Sequence, residues 1–498
     1  MIMFYNSFEA AKDGSLIPYF FNNKPMFSVY NPKRDVERFL EKISSITEKT
    51  CLFVAGIGTG IHLSFLLENP NLTLIFALEV DKKTIDQVQE FIPKSNKIIS
   101  CTMEDFQDKL INNYIPQIHG NFIFEIVKSW GIALNQYNNE FSEDYIREKI
   151  LLKIKEISRD IGTQSYFGKL WHKNILHNIH NYSLAKENNL LIDNSYFDTN
   201  KIAAIIGASP NLDNQIQKII ENRNKYFIFA TDTSFQVLLQ NEIFPDSVIT
   251  LDGQIASAKH FFESLDKKTL FIADFCSNSS IVKKIVSQKC KIAFTNSGHP
   301  LVSIFNIWLE LNKIGSEIFI ANSGNGTVLQ LALDFAFSVG FEKYELFGAD
   351  FAYTNNKSYS KGTYFDFEYN SSSEKINSTE NLFTKLMYRG KTIKTNDDIT
   401  TETLTAYKNY LMEYLNNKKL HSKNQIITNQ NQFDSRKFFN WYIENLENKE
   451  KNVKKTILPL LAWINNCNKN SDKYNEIIHL TKKLIRSFIE EKDGFKKN

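Results

Sequence analysis

Seven short apolar segments decide the fold: AAIIGAS at 203–209, YFIFATD at 226–232, SVITLDG at 247–253, TLFIADF at 269–275, CKIAFTN at 290–296, SEIFIANSG at 316–324 and YELFGAD at 344–350. Nearly every one ends in a small or polar cluster, and amphipathic stretches of helical length separate most of them. That alternation predicts a mostly parallel sheet with helices on its faces. In such sheets, ligands bind beyond the carboxyl ends of the strands. Here those ends carry Asp232, Asp252, Asp274 and Asp350, together with Asn296, Ser323 and a Gly-Ala-Ser-Pro turn at Gly207.

Upstream, CLFVAGIGTG at 51–60 reads as a strand entering a glycine turn, followed by a helix (IHLSFLLEN) and a second strand (LTLIFALEVD). KIISCTMEDF and NFIFEIVKSW supply a third strand and a fourth. Strand, glycine turn, helix and strand in that order suit a nucleoside site, because Gly56, Gly58 and Gly60 let backbone N–H groups approach a ligand. Glu79 and Asp81 stand where an acidic residue would bind ribose hydroxyls, as in S-adenosylmethionine methyltransferases. The unit reads either as a cofactor site or as a nucleotide fold kept as scaffold. Residues 1–45 carry few signals beyond a helix near 36–46. Residues 145–182 change to long helices, 353–378 form a Ser/Asn/Lys/Tyr-rich stretch with the length of a lid or binding loop, and the chain from about Thr400 is almost purely helical by pattern.

Composition narrows the classes. A chain of 498 residues exceeds one ordinary core. A net charge of +3 gives no electrostatic case for nucleic acid. The cysteines (Cys51, Cys101, Cys276, Cys290, Cys467) are scattered without a CxxC, as expected of buried free thiols in a reducing compartment. The N-terminus lacks a basic leader with an apolar run, and no stretch approaches the ~20 apolar residues that span a bilayer. A cytoplasmic protein is expected. His172, His177 and His180 cluster on a predicted helix, but only the last two share a face, which suits amphipathic histidines rather than a metal site.

Three constellations carry chemistry. Gly207-Ala-Ser-Pro-Asn-Leu-Asp213 joins a strand to a helix, so its N–H groups could face an anion; it also suits an ordinary loop with Asn211 as the cap. The strand-end aspartates could orient a sugar, hold hydrated Mg²⁺ against phosphates, or act as a base. Asp232 also suits the cap of the helix that follows it. Asp246 and Asp252 bracket one strand and point to one side at opposite ends, so they should not pair. Ala321-Asn-Ser-Gly-Asn-Gly-Thr327 offers hydroxyl and backbone groups to a ribose or base. His299 is the only histidine close to a predicted strand end, and a plain loop histidine is its simpler reading.

IIGASPNLD, FATDTSFQVLL, FPDSVITLD and NSGNGTVLQLALDFAFSVGFEKYELFGADFAYT together resemble the motility accessory factor family, whose shared region is called the MptE-like or DUF115 domain. The resemblance covers roughly residues 170–395. It implies an α/β fold in three parts: a Rossmann-like N-terminal domain (1–170), a central sialyltransferase-like (GT-A-like) parallel-sheet domain (171–395) and a C-terminal all-helical domain (396–498). It further implies transfer of a nonulosonic acid, pseudaminic or legionaminic, from a CMP-activated donor to flagellin Ser/Thr hydroxyls. By motif match, Gly207, Ser209, Pro210 and Asn211 would sit at the donor phosphate or cytidine, with Ser323, Gly324 and Asn296 at the nucleotide. Thr231, Asp232 and Asp252 would face the transferred sugar, and Asp350, Tyr353 and Tyr359 would stand near the reacting centre. Lys357 and Lys361 are candidates for the departing phosphate. Two departures stand out: the loop is Gly-Ala-Ser-Pro-Asn-Leu where the family shows Gly-x-Gly-Pro-Ser-Leu, and Tyr359 stands near a position where the family often has histidine. The alternatives are a Mg²⁺-dependent hydroxymethylpterin pyrophosphokinase with Asp232 and Asp252 facing the metal, a methyltransferase using the N-terminal unit, and a non-enzymatic flagellin-binding assembly factor.

Overall fold

The computed structural model describes residues 3–41, 43, 46–138, 141–261, 265–323, 326–354, 357–374, 378–395, 398–417, 421–426, 431–467 and 473–495. It divides into two compact units, Met1–Gln164 and Ser165–Asn498.

The first unit opens with a hairpin that the sequence patterning did not announce, β1 (Tyr5–Ala10) paired antiparallel with β2 (Leu16–Phe20). Its β3 (Thr50–Ala55), β4 (Leu72–Glu79), β5 (Ile98–Thr102) and β6 (Asn121–Ile126) form a parallel sheet in the order β5-β4-β3-β6. The central strands are buried along their whole length, which is why CLFVA and LIFALE run apolar instead of alternating.

In the second unit all seven quoted segments form strands: β7 (Ile202–Ile206), β8 (Tyr226–Thr231), β9 (Ser247–Thr250), β10 (Leu270–Asp274), β11 (Ile292–Asn296), β12 (Ile318–Ile320) and β13 (Tyr344–Phe347). They make one parallel sheet in the order β12-β11-β10-β9-β8-β7-β13. Six strands step outward one place at a time, and the seventh returns to the far side of the first. Side chains alternate between two cores. Ala204, Ile206 and Ile228 face the helices Leu212–Glu221, Ser279–Ser287 and Pro300–Leu311. Ala203, Ile205, Phe227 and Phe229 face the helix Val328–Ser338, which carries the chain back to β13. The reversal falls between β7 and β13, where a doubly wound sheet opens its crevice.

The helix Glu143–Glu187 runs from the first unit into the second. Within the second unit its Ile175, Ile179 and Tyr182 share one core with Phe433 and with Phe438, Tyr442 and Ile477 of the C-terminal helices. Leu411 and Tyr414, of the helix Glu402–Asn416, lie in the core on the opposite face of the sheet. Among the described residues, the apolar faces of the helices beyond 395 thus pack into the two cores of the sheet. Cys51, Cys101, Cys276 and Cys290 are buried free thiols, and the side chain of Cys467 lies outside the described residues.

One buried ion pair ties this helix to the start of β12. Lys186 Nζ lies 2.5 Å from Glu317 Oε1, and Tyr182 donates to Glu317 Oε2 at 2.6 Å. Removing one partner leaves the other charge buried. Lys186→Ala should therefore cost about 3–5 kcal/mol, measurable as a lower denaturant midpoint for the full chain.

Candidate functional site

At the carboxyl edge, the turn after β7 and the segment after β13 interlock. Ser209 donates its backbone N–H to Gly348 O at 3.1 Å and its hydroxyl to the same oxygen at 2.5 Å. The hydroxyl in turn accepts from Asp350 N at 2.9 Å. Asp350 Oδ2 accepts from Asn211 N at 3.1 Å. Asn211 precedes the helix Leu212–Glu221, and its side chain makes no cap bond; the Asp350 carboxylate accepts from the N–H of Asn211 itself. Gly207, Ser209, Pro210, Asn211 and Asp350 thus come together, but as a closed joint. The Gly207 N–H also goes to Phe347 O, so three N–H groups of the turn, those of Gly207, Ser209 and Asn211, are spent within the protein. Burial raises the Asp350 carboxyl above its ordinary range, and the Asn211 N–H pulls it partly back.

Beside this joint stand the ends of β8 and β9. Thr231 caps the helix Asp232–Gln240, its hydroxyl accepting from Ser234 N. Asp232 is therefore not the cap. It is 3% exposed, accepts from Thr233 N at 2.8 Å through Oδ1, and accepts from Thr250 Oγ1 at 2.9 Å through Oδ2. Asp252 is half-buried and accepts from Gln254 N at 2.8 Å. Burial, then the nearby Asp232 charge, raise its carboxyl above the usual range, while His260 works the other way. Asp246 stands at the opposite end of β9, paired with Arg223 at 3.0 Å.

A tyrosine-rich segment lies against this edge. Ser360 N donates to Ala208 O at 2.9 Å and Gln240 Nε2 donates to Gly362 O at 3.1 Å. Tyr359 stacks on Phe365 with ring centres 4.7 Å apart, and burial pushes its hydroxyl up to about 12. Tyr353 is partly buried, and its backbone bridges Ile399. Lys357 Nζ lies 3.8 Å from Asp213 Oδ2.

The other strand-end groups have separate duties. Asp274 is buried and saturated by Cys276 N, Thr295 Oγ1 and Ser297 N. Asn296 bonds Ser303 Oγ and Gly298 N. The carbonyl of Ser323 accepts from Gly326 N and Thr327 N, which opens the helix Val328–Ser338. That helix starts close to the β7 turn, since Leu329 Cδ1 would lie 2.9 Å from a Cβ placed on Gly207. Gly324 lies outside the described residues.

Sequence reasoning missed two features. The first is an asparagine row on the helix Glu143–Glu187. Asn174 Nδ2 donates to Gly253 O and Cys276 O, Asn178 Nδ2 to Phe275 O and Ser277 O, and Asn181 Nδ2 to Ser279 O. Spacings of four and three residues put all three on one face, where they pin the loops after β9 and β10. The signal lies in HKNILHNIHNY, where asparagine recurs at 174, 178 and 181. The second is His260, on the 3₁₀ segment Ile255–Phe261, buried beside Asp232 and Asp252. His299 is a capping residue whose Nδ1 accepts from Leu301 N. His172 bonds Thr481 Oγ1. No metal-ligating cluster of three or more His, Cys, Asp or Glu occurs among the described residues, and no helix among them is long and apolar enough to cross a membrane.

In the first unit the Glu79 carboxylate turns back into the glycine turn. It accepts from Ile57 N, Gly58 N, Tyr5 OH and Trp130 Nε1, all at 2.7–3.0 Å. The hairpin closes over it, with Thr59 Oγ1 bonded to Leu16 O. The acidic group that would hold a ribose is consumed within the protein.

Residues 173–356, which span this edge, match the family described as 6-hydroxymethylpterin diphosphokinase MptE-like. Two proteins of Treponema pallidum (strain Nichols), both described only as uncharacterized, are similar. One is 35% identical over 151 residues, covering 30% of this chain and 66% of the relative; the other is 26% identical over 212 residues, covering 41% and 70%. Among solved structures, a MAf glycosyltransferase from Magnetospirillum magneticum AMB-1 aligns over 97% of this chain and 90% of its own, with TM-score 0.49 and 12% identity.

Two predictions follow from how the second unit is held. Asn178→Ala orphans two buried carbonyls and should cost about 2–4 kcal/mol, read by denaturant unfolding. Burial holds His172 at about 4 and His299 at about 3, against about 6.5 when unfolded. Because the unfolded chain binds protons first, stability is intact above pH 6.5 and falls below it, by up to about 1.4 kcal/mol per pH unit for each histidine. His299→Asn keeps a cap acceptor and removes the titrating ring, so the stability loss between pH 7 and pH 5 should shrink.

Proposed function

We propose that this chain is a glycosyltransferase that moves a nonulosonic acid from a CMP-activated donor to serine or threonine hydroxyls of flagellin. The observation that carries the reading is the composition of the carboxyl edge. Two aspartates, Asp232 and Asp252, stand beside the tyrosines of the segment 353–369, next to the β7–β13 crevice. Carboxylates held by hydroxyl and amide donors, with aromatic faces nearby, are suited to a polyhydroxylated ring. In this reading Thr231, Asp232 and Asp252 face the sugar, and Ser323 and Asn296 face the nucleotide. Asp350 holds the turn Gly207–Asn211 in shape, while Tyr353 and Tyr359 wall the reacting centre.

Loss of CMP develops positive charge at the anomeric carbon, which the two carboxylates would stabilise, while the donor's phosphate oxygen takes the bonding pair. The pterin kinase reading draws on the MptE-like family description. It would need a cradle for a polyphosphate and a place for Mg²⁺. The Gly207, Ser209 and Asn211 N–H groups are spent internally, and both Asp232 oxygens already accept bonds from Thr233 and Thr250, so half of the metal-facing pair is already engaged.

Incubating the full chain with flagellin and CMP-pseudaminic or CMP-legionaminic acid should raise the flagellin mass by whole sugar residues. Asp252→Asn should slow this about 10²-fold. No mass change with either donor, or release of AMP from ATP in the presence of hydroxymethylpterin, would overturn the reading.

A further inference from the structure

Ten buried side-chain polar atoms lack a partner among the described residues, and three of them come from one neighbourhood: His260 Nδ1, Ser360 Oγ and Thr363 Oγ1. His260 is 6% exposed, and Ser360 and Thr363 are fully buried. They sit where the 3₁₀ segment Ile255–Phe261 meets the tyrosine-rich segment. The His260 ring packs edge-on against Tyr364 at 4.5 Å, Lys259 Nζ pairs with Glu368 Oε1 at 2.5 Å, and the His260 carbonyl accepts from Gln236 Nε2 at 2.9 Å. Ser360 reaches the same place through its backbone bond to Ala208, at the β7 turn. Thr363 precedes the helix Tyr364–Ser371 and stands in the cap position, yet its hydroxyl makes no cap bond. Orphaned polar atoms are costly, and a group of them calls for a ligand that completes them. The charges of Asp232 and Asp252 act on His260 from the strand side.

We infer that His260, Ser360 and Thr363 form the acceptor end of the site, taking the hydroxyl group that attacks the sugar. The inference rests on the transferase reading above. The acceptor oxygen bonds to the anomeric carbon as that carbon's bond to the donor phosphate oxygen breaks, and CMP leaves with the bonding pair. The hydroxyl proton passes to the His260 imidazole, and Asp232 and Asp252 stabilise the imidazolium until it returns the proton to solvent. Ser360 and Thr363 orient the incoming oxygen. Tyr359, stacked on Phe365, is not the proton acceptor.

Two variants test this in the full chain with flagellin and the CMP-sugar. His260→Gln should lower kcat for transfer by about 10²-fold or more, with the KM for the donor within about threefold of wild type. Thr363→Val separates a ligand role from a structural one. Removing an unpartnered hydroxyl should leave Tm unchanged or raise it, while the KM for flagellin rises several-fold. If His260→Gln does not fold, Thr363→Val decides. Wild-type transfer accompanied by unchanged kinetics in His260→Gln, or in Thr363→Val where that variant decides, would overturn the inference and leave the transferase reading standing. A wild-type protein inactive with every donor would instead sink the transferase reading itself.

Discussion

The carboxyl edge of the larger sheet depends on two backbones that almost touch. A Cβ on Gly207 would lie 2.4 Å from the Gly348 carbonyl oxygen, and a Cβ on Gly348 would lie 2.5 Å from the Gly207 oxygen. Gly348 also has φ +55°, which side chains adopt at a cost. Only with glycine at both positions can β13 lie beside β7 while the two turns share the Ser209 hydroxyl. That contact sets the reversal of strand order, and the reversal sets where the edge is open. A serine in the turn, where the family shows a second glycine, is explained by the same joint: its hydroxyl links Gly348 O to Asp350 N.

Much of this was legible in the sequence, because strands buried on both faces write themselves as short apolar runs with polar ends. The strand segments, the glycine turn of the first unit and the polar termini could all be read from such runs. Strand order could not. Nothing in YELFGAD says that it pairs with AAIIGAS and not with its predecessor SEIFIANSG; that is settled by the helix Val328–Ser338 packing on the opposite face. The C-terminal helices looked self-contained for a related reason. Amphipathic periodicity reports an apolar face but not its partner, and here Phe433, Phe438 and Tyr442 find theirs on the sheet's helices.

The site shows the same limit at the level of single residues. An aspartate at a strand end has one sequence signature and several fates. Asp274 became a buried brace, Asp350 an anchor for the turn after β7, and Asp232 and Asp252 the pair beside His260. Glu79 is the sharpest case. Its spacing from Gly56 matches a ribose-binding acid, but Tyr5 and Trp130, far away in sequence, supply donors that turn it inward. His260 was hidden because it follows β9 by ten residues on a 3₁₀ segment of seven residues, where the packing of Tyr364 and the bond from Gln236 hold it at the edge.

Electrostatics explains why the edge holds together without a rigid cage of ion pairs. Three of its strand-end aspartates are met by hydroxyls or backbone N–H groups: Asp232 by Thr233 and Thr250, Asp252 by Gln254, Asp350 by Asn211. Neutral donors satisfy part of a carboxylate's hydrogen-bonding capacity without cancelling its charge, so a negative field remains for a group that becomes positive. The loops bearing these aspartates are themselves held by neutral amides, since Asn174 and Asn178 clamp the carbonyls after β9 and β10. Lysines in those positions would have fixed the same loops, but with ammonium groups a short distance from Asp252 they would have weakened the field that the aspartates supply.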